Sequence, residues 1–367
     1  MAANTPEIWT YDQFKTETNP KDVRKALAAI DQYLKDWGVI KNGPSTEGKI
    51  LHLRKISNAC IDYVTSKQAK ADKKAGSRFS KPSSRLVNRI AKAKQLAKQV
   101  FLRMTFEKYE YQKSVRSGPG TKMDALAGEA TSVKGGYRNE RTNFVNTKAA
   151  GNLGGTQTAI NPQGGSFVHQ RMEEHNADPV AAPPNILAML AKSFDALTLQ
   201  EFNDLQAHFS AGGQGLGALP NVHYARKDER LREMMLVPLD GLLYTSDGNI
   251  CNAGWNGYAM DLYGNLLVAK ANKSWNHGVS GAQFNHSTLT AGLDVVCAGE
   301  IKIAKGLVEY ISNESGHYKP SAKQLANCIF ALVEEYSLPM LDSVKDVVDV
   351  SSGNKLEFKG VLPFLAA

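Results

Sequence analysis

Apolar spacing changes twice along this chain, and that change constrains the fold more than any single residue does. Up to about residue 116 the apolar side chains recur at three- and four-residue steps, the signature of amphipathic helices. Val23, Leu27, Ile30 and Leu34 draw one stripe and predict a helix over 19–37, with Asn19 as its cap, Pro20 in its first turn and Gly38 at its end. Leu53, Ile56, Cys60 and Tyr63 predict a second helix over 46–67. Leu86, Ile90, Val100, Phe101 and Met104 predict a third over 83–113, capped by Ser83 or Ser84. From 117 to 184 periodicity is lost in a run rich in Gly, Ser, Thr, Asn and Pro, as in AAGNLGGTQTAINPQGG, which reads as a flexible linker. Order returns near Asn185 with a short helix, and Thr198 and Glu201 form a capping-box pattern.

Beyond Val222 the pattern turns to short β segments. Met235–Val237, Leu242–Tyr244, Tyr258–Met260 and Leu266–Val268 are strand candidates, punctuated by Asp240-Gly241, Asp247-Gly248 and Gly264-Asn265. Asp294–Ile303 and Leu307–Ser312 read as a hairpin around Lys305-Gly306, and a helix follows from Ser321 with Gln324 completing its capping box. The expected protein is therefore α+β. A basic helical bundle (1–116) and the linker (117–184) precede a domain (185–367) with a mostly antiparallel sheet and flanking helices.

Charge divides the chain along the same line. The net charge is +8 over 367 residues, yet Thr46 to Arg116 holds eighteen Lys and Arg against five acids, a local +13 that leaves the remainder at −5. Basic segments of this kind favour nucleic acid, anionic lipid or acidic protein. No apolar run approaches the roughly 20 residues of a membrane span. The N-terminus, MAANTPEIWTYDQFK, has no signal-peptide pattern, so export is expected to use a dedicated secretion system acting on a protein made in the cytoplasm. Cys60, Cys251, Cys297 and Cys328 form no CxxC pair and read as buried free thiols, and no Cys/His spacing suits zinc.

Two polar stretches stand out in the C-terminal part. FNHSTLTAG carries His286, Ser287 and Thr288 and ends at Gly292; NESGHYKPS carries Ser315, Gly316, His317 and Tyr318 before the capped helix. Each is either a local cap and connector or one half of a shared pocket, the second stretch lying where a helix N-terminus favours an anion. Glu300 and Glu309 are the carboxylates of the hairpin. They either stabilise a cationic transition state or face water.

The run KDERLREMM…DGLLY…YAMDLYGNLLV…FNHSTLTAG…VVCAGEIKIAKGLVEYISN…SGHYKPS resembles the conserved domain of the plant IQM (IQ-motif-containing calmodulin-binding) proteins and of related bacterial effector or toxin-like proteins. His286, Ser287 and Gly292 match the first part of that pattern, with Thr288 in place of a second Ser. Ala298 and Gly299 match its middle, and Ser315, Gly316, His317, Tyr318, Pro320 and Ser321 its end. Glu300 stands where the plant proteins tend to carry Arg, and no IQ motif is present, so calmodulin binding does not carry over with the motif. ALAAIDQYLKDWG, LRKISNACIDYVTSK and SSRLVNRIAKAKQLAKQV are similar to the helical leaders of some bacterial secreted toxins.

The resemblance implies one ligand pocket, and three functions compete for the chain. An injected toxin or effector with ADP-ribosyltransferase-like chemistry would use NAD: His286, Ser287 and Thr288 would hold the nicotinamide ribose, Tyr318 would stack on nicotinamide, and Glu300 or Glu309 would stabilise the oxocarbenium ion. His317 would join the catalytic set, and Ser315, Gly316 and Gly292 would line the cofactor. A non-enzymatic regulatory module would bind a small anion or a peptide in the same pocket, and its basic helices would take an acidic partner, the export apparatus or a host protein. A nucleic-acid binder would use the +13 segment. The stripe of the third helix leads to competing expectations: its apolar residues are core, or the helix meets an acidic partner (calmodulin in a eukaryotic host, or an acidic chaperone or tube wall during export) or a membrane surface.

Overall fold

The structure is a computed structural model that describes residues 5–18, 25–76, 81–116, 184–190, 227–269, 286–290, 295–315, 318–334 and 336–367, with isolated positions at 198, 200, 201, 204 and 225. The expected linker lies almost wholly outside these residues. Contacts divide the chain into a helical unit, Asn4–Val115 with the turn Thr245–Asn249, and a sheet unit that includes Arg116–Tyr244 and Ile250–Ala367.

Among the described residues the helical unit holds four α-helices: α1 (Tyr11–Glu17), α2 (Ala28–Ile40, entered through a 3₁₀ turn at Lys25–Leu27), α3 (Glu47–Ala75) and α4 (Ser84–Arg116). Thr10 and Gln13 start α1 with a reciprocal capping box, the Thr10 N–H donating to Gln13 Oε1 at 2.8 Å. Sequence periodicity did not reveal this helix because it buries one side chain, Phe14. The expected cap at Asn19 and Pro20 falls outside the described residues. Gly38 does not end α2, which continues to Ile40; α3 runs eight residues beyond the expected end at 67. The residues added to α3 are mostly polar, and those added to α2 include an exposed Val39 and a half-buried Ile40, so neither extension carries a buried stripe and backbone hydrogen bonding runs past the periodic signal.

The stripes read from the sequence face inward. Leu27, Ile30, Leu34, Leu53, Ile56, Cys60 and Tyr63 are buried, as are Ile90, Leu96, Val100, Phe101 and Met104 of α4. Leu86 is half-buried. The α4 stripe is therefore core, and the folded helix does not offer Ile90 or Phe101 to a partner's groove. A charged network lies beside this core. Glu107, 2% exposed, accepts from Arg103 Nη2 at 2.6 Å and from Ser45 Oγ, and Lys49 lies 3.6 Å away. Lys49 Nζ in turn donates to the carbonyls of Lys41 and Gly43, closing the α2–α3 connection. A buried carboxylate with this many donors holds geometry more than it adds net stability.

The sheet unit begins with α5 (Pro184–Leu190) and α6 (Lys227–Glu229), which passes into a π-helical turn at Arg230–Met234. Thr198 and Glu201 make the reciprocal bonds expected of them, at 2.9 and 3.1 Å. Strands β1 (Val237–Leu239) and β2 (Leu242–Tyr244) form a hairpin whose turn residues Asp240 and Gly241 both have positive φ, as a type I′ turn requires. The main sheet has six strands in the order β4-β3-β5-β6-β7-β8: β3 (Gly254–Asp261), β4 (Leu266–Val268), β5 (Val295–Ala304), β6 (Leu307–Ser312), β7 (Asp346–Asp349) and β8 (Leu356–Phe358). All pairings are antiparallel except β6–β7, which is parallel. A parallel neighbour needs a long crossover, and α8 (Ala322–Glu334) and α9 (Met340–Ser343) supply it. Helix α7 (His286–Thr290) lies before β5, and α10 (Val361–Leu365) follows β8.

Alternation along the strands makes two cores. Tyr258, Met260, Cys297, Ile301, Ile303, Ile311 and Val347 face one side, where they pack with Leu325, Ile329 and Leu332 of α8. Ala259, Leu267 and Ala298 face the other side, with Met234, Leu289, Val295 and Tyr318. The small residues Ala259 and Ala298, paired across β3 and β5, let α7 approach the sheet closely. All four cysteines are free and buried.

Candidate functional site

The centre of the candidate site is Gly299 on β5. A Cβ there would stand 2.0 Å from the Ser312 carbonyl oxygen and 2.9 Å from Glu314 N, so only a residue without a side chain lets the start of the β6–α8 connection cross this point. The Gly299 carbonyl accepts from His286 Nε2 at 2.9 Å, which anchors the first residue of α7 to β5 and places the ring proton on Nε2 in that contact. The Ala-Gly and His parts of the sequence pattern thus meet through a backbone oxygen.

The third part meets α7 as well. Tyr318 is fully buried, and its hydroxyl shares a hydrogen bond of 2.7 Å with Thr290 Oγ1. Thr288 is fully buried, and its carbonyl accepts from Ala225 N at 3.2 Å. Ser315 forms a turn around Tyr318: its hydroxyl accepts from Tyr318 N at 3.3 Å and its carbonyl from Lys319 N at 2.9 Å. His286, Thr288, Ser315 and Tyr318 are therefore joined to the same part of the sheet, with Gly299 and Thr290 as the joining residues. Gly292, Gly316 and His317 lie outside the described residues, as does the side chain of Ser287, so the pairing of His286 with His317 falls there too.

Glu300 behaves differently. It is exposed on β5 directly opposite Gly257 of β3. Partial burial of its carboxyl, then the nearby Glu314, raise its pKa, and Lys355 offsets part of this. Glu309 is held by Lys302 at 2.9 Å and Lys345 at 3.1 Å, and these two ammonium groups lower its pKa. Of the two hairpin carboxylates, Glu309 is neutralised by its neighbours and Glu300 is not. Cys297 is fully buried, and that burial pushes its thiol up to about 12.

Three polar residues that sequence patterns did not single out organise the site. Ser312 Oγ accepts from Glu300 N at 3.1 Å and Glu314 N at 3.3 Å, and its carbonyl accepts from the Tyr258 hydroxyl at 3.0 Å. Asn313 is fully buried. It donates to Asp349 Oδ1 at 2.6 Å and to the Pro320 carbonyl at 3.1 Å, and accepts from Val350 N at 2.9 Å, so one amide joins the ends of β6 and β7 to the start of α8. Asp261 closes the β3–β4 turn, accepting from Tyr263 N and from both the backbone and side-chain nitrogens of Asn265 at 2.8–2.9 Å. Burial lifts its carboxyl to about 6 in spite of these donors and of Arg230. The Asp-Leu-Tyr-Gly-Asn stretch carried a usable signal, since an Asp followed by Gly-Asn favours a side-chain-closed turn. Nothing local marked Asn313, whose partners are 7 and 36 positions away.

Compared with known families, residues 259–325 match the IQ motif-containing protein middle domain. The matched stretch runs from β3 into α8 and contains His286, Gly299, Ser312 and Tyr318. Comparison with curated proteins and with solved structures finds no match.

Proposed function

We propose that this chain acts by binding rather than by catalysis, as a sheet module of the IQ motif-containing middle-domain kind coupled to a basic helical module that meets an acidic partner protein. The observation that carries this reading is the use made of the motif side chains. Tyr318 is a core residue whose hydroxyl is engaged by Thr290, and Thr288 is buried beside it. A transferase reading needs the Tyr318 ring bare against nicotinamide, and a stacking residue cannot also be the plug between α7 and the sheet. The motif pattern is better explained as the latch that fixes α7 on β5.

The helical module supports the partner half of the proposal. Its apolar stripes are consumed internally, while Lys55, Lys70, Lys73, Lys94 and Lys98 remain exposed. Recognition by such a face is electrostatic and weakens as salt rises. A calmodulin-type acidic protein fits this chemistry through surface charge, without insertion of α4 into a groove.

The test pairs two assays on the full chain. Incubation with NAD is expected to give no NAD consumption and no thermal shift with ADP-ribose. Calcium-loaded calmodulin, with polyglutamate as a generic acidic probe, is expected to bind at low salt and to lose about tenfold or more in affinity at physiological salt. NAD turnover that disappears in Glu300→Gln and Tyr318→Phe would overturn the reading in favour of a transferase.

A further inference from the structure

The face of the sheet that carries α7 continues past it onto exposed strand. Trp255 on β3, Lys302 on β5 and Tyr310 on β6 are register neighbours in one row, and Glu300 lies two residues from Lys302 on the same side. The rings of Trp255 and Tyr310 lie 4.5 Å apart at 57°, closing over the strand between them. Trp255 is nevertheless 58% exposed, whereas Tyr310 is buried beneath the pair. A large aromatic side chain held in place by a second ring yet open to solvent is the usual form of a contact residue. Gly257, opposite Glu300, leaves the strand bare between the carboxylate and the indole.

The charges around this notch are unbalanced. Lys302 is taken by Glu309 at 2.9 Å, and Lys355 pairs with Glu357 at 3.5 Å. Among the described residues neither Glu300 nor Glu314 makes an ion pair, and partial burial, followed by the nearby Glu314, raises the Glu300 pKa while Lys355 offsets part of this. Glu300 and Glu314 both lie near Tyr310, the ring that packs on Trp255, and two carboxylates near an exposed indole suit an organic cation.

We infer that the notch formed by Trp255, Gly257, Glu300 and Glu314 is a binding site for an arginine or lysine side chain presented by a basic peptide segment of a partner protein. The cation would lie over the free face of Trp255 with its hydrogens directed at Glu300, and Lys355 would compete with it. This site lies on the acidic part of a chain whose other part is strongly basic, so it is distinct from the acidic-partner surface proposed above, and the two fail independently.

The experiment titrates the full chain with a capped tetra-arginine peptide at low salt, by calorimetry, with a capped tetraglutamate peptide as control. The arginine peptide is expected to bind, and Trp255→Ala and Glu300→Gln are each expected to weaken it about fivefold. Both positions are exposed, so circular dichroism melts should match the parent. Lys355→Gln is expected to tighten binding by removing the competing charge. Absence of binding, or arginine-peptide binding that Trp255→Ala and Glu300→Gln leave unchanged, would overturn the proposal. Binding of polyglutamate reports only on the helical unit.

Discussion

Replacing Gly299 by Ala tests whether the site depends on close backbone approach. The added methyl would lie 2.0 Å from the Ser312 carbonyl oxygen, against the roughly 3.3 Å at which carbon and carbonyl oxygen rest. Backbone must therefore move by more than ~1 Å. Both neighbouring atoms, Ser312 O and Glu314 N, belong to main chain and cannot rotate away. The movement would break the Tyr258 bond to Ser312 O and the Glu300 N bond to Ser312 Oγ, and would strain the adjoining Ile301–Ile311 pairing. At about 1 kcal/mol for each lost bond, plus the strain of overpacking a closed core, the cost is roughly 3–5 kcal/mol. That is a large share of a domain's stability and corresponds to a fall in melting temperature of roughly 10–20 °C for the sheet unit. Urea unfolding followed by near-ultraviolet circular dichroism measures it. Gly254→Ala is the control: its φ is +65 but its Cβ would meet nothing within 4 Å, so it bears only the backbone penalty of about 1 kcal/mol. A Gly299→Ala protein no less stable than Gly254→Ala would refute the close-approach argument and the placement of His286 that depends on it.

Burial raises the Asp261 carboxyl from the ordinary 3.8 to about 6, so the folded state binds its proton more tightly than the unfolded chain does. The stability it contributes is present below about pH 4 and lost as pH rises through 6, a cost of about 3 kcal/mol at neutral pH. Asp261→Asn should abolish that slope between pH 4 and 7 in urea midpoints, because an amide does not titrate, and the unpartnered Asn265 Oδ1 offers the new amide an acceptor; an unchanged slope would show that another group sets it. Asn313→Ala removes a donor from Asp349 and from the Pro320 carbonyl and the acceptor of Val350 N, and is expected to destabilise by about 3 kcal/mol, with hydrogen exchange rising first at the β6–β7 junction. Gly38→Ala, exposed inside α2 with no atom near its Cβ, should stabilise the helical unit by up to about 1 kcal/mol, and a loss of stability there would mean the helix does not run to Ile40.

What the sequence determined by itself was local. Apolar spacing marked the buried faces of α2, α3, α4 and α8, because a helix repeats its environment every three or four residues. Asp240-Gly241 and Lys305-Gly306 marked hairpin turns, because few residues accept positive φ. The motif stretches around His286 and Tyr318 were visible as polar runs at the ends of apolar ones. Tertiary structure decided where those residues sit: His286 Nε2 donates to a carbonyl 13 positions away, and the Tyr318 hydroxyl is hydrogen-bonded to Thr290, 28 positions away. The parallel β6–β7 pairing, the Asn313 hub and the Trp255–Tyr310 pair likewise join residues tens of positions apart. Spacing along a chain reports which face a side chain occupies; only the packing of strands against one another decides whether that face meets a partner, a core or water.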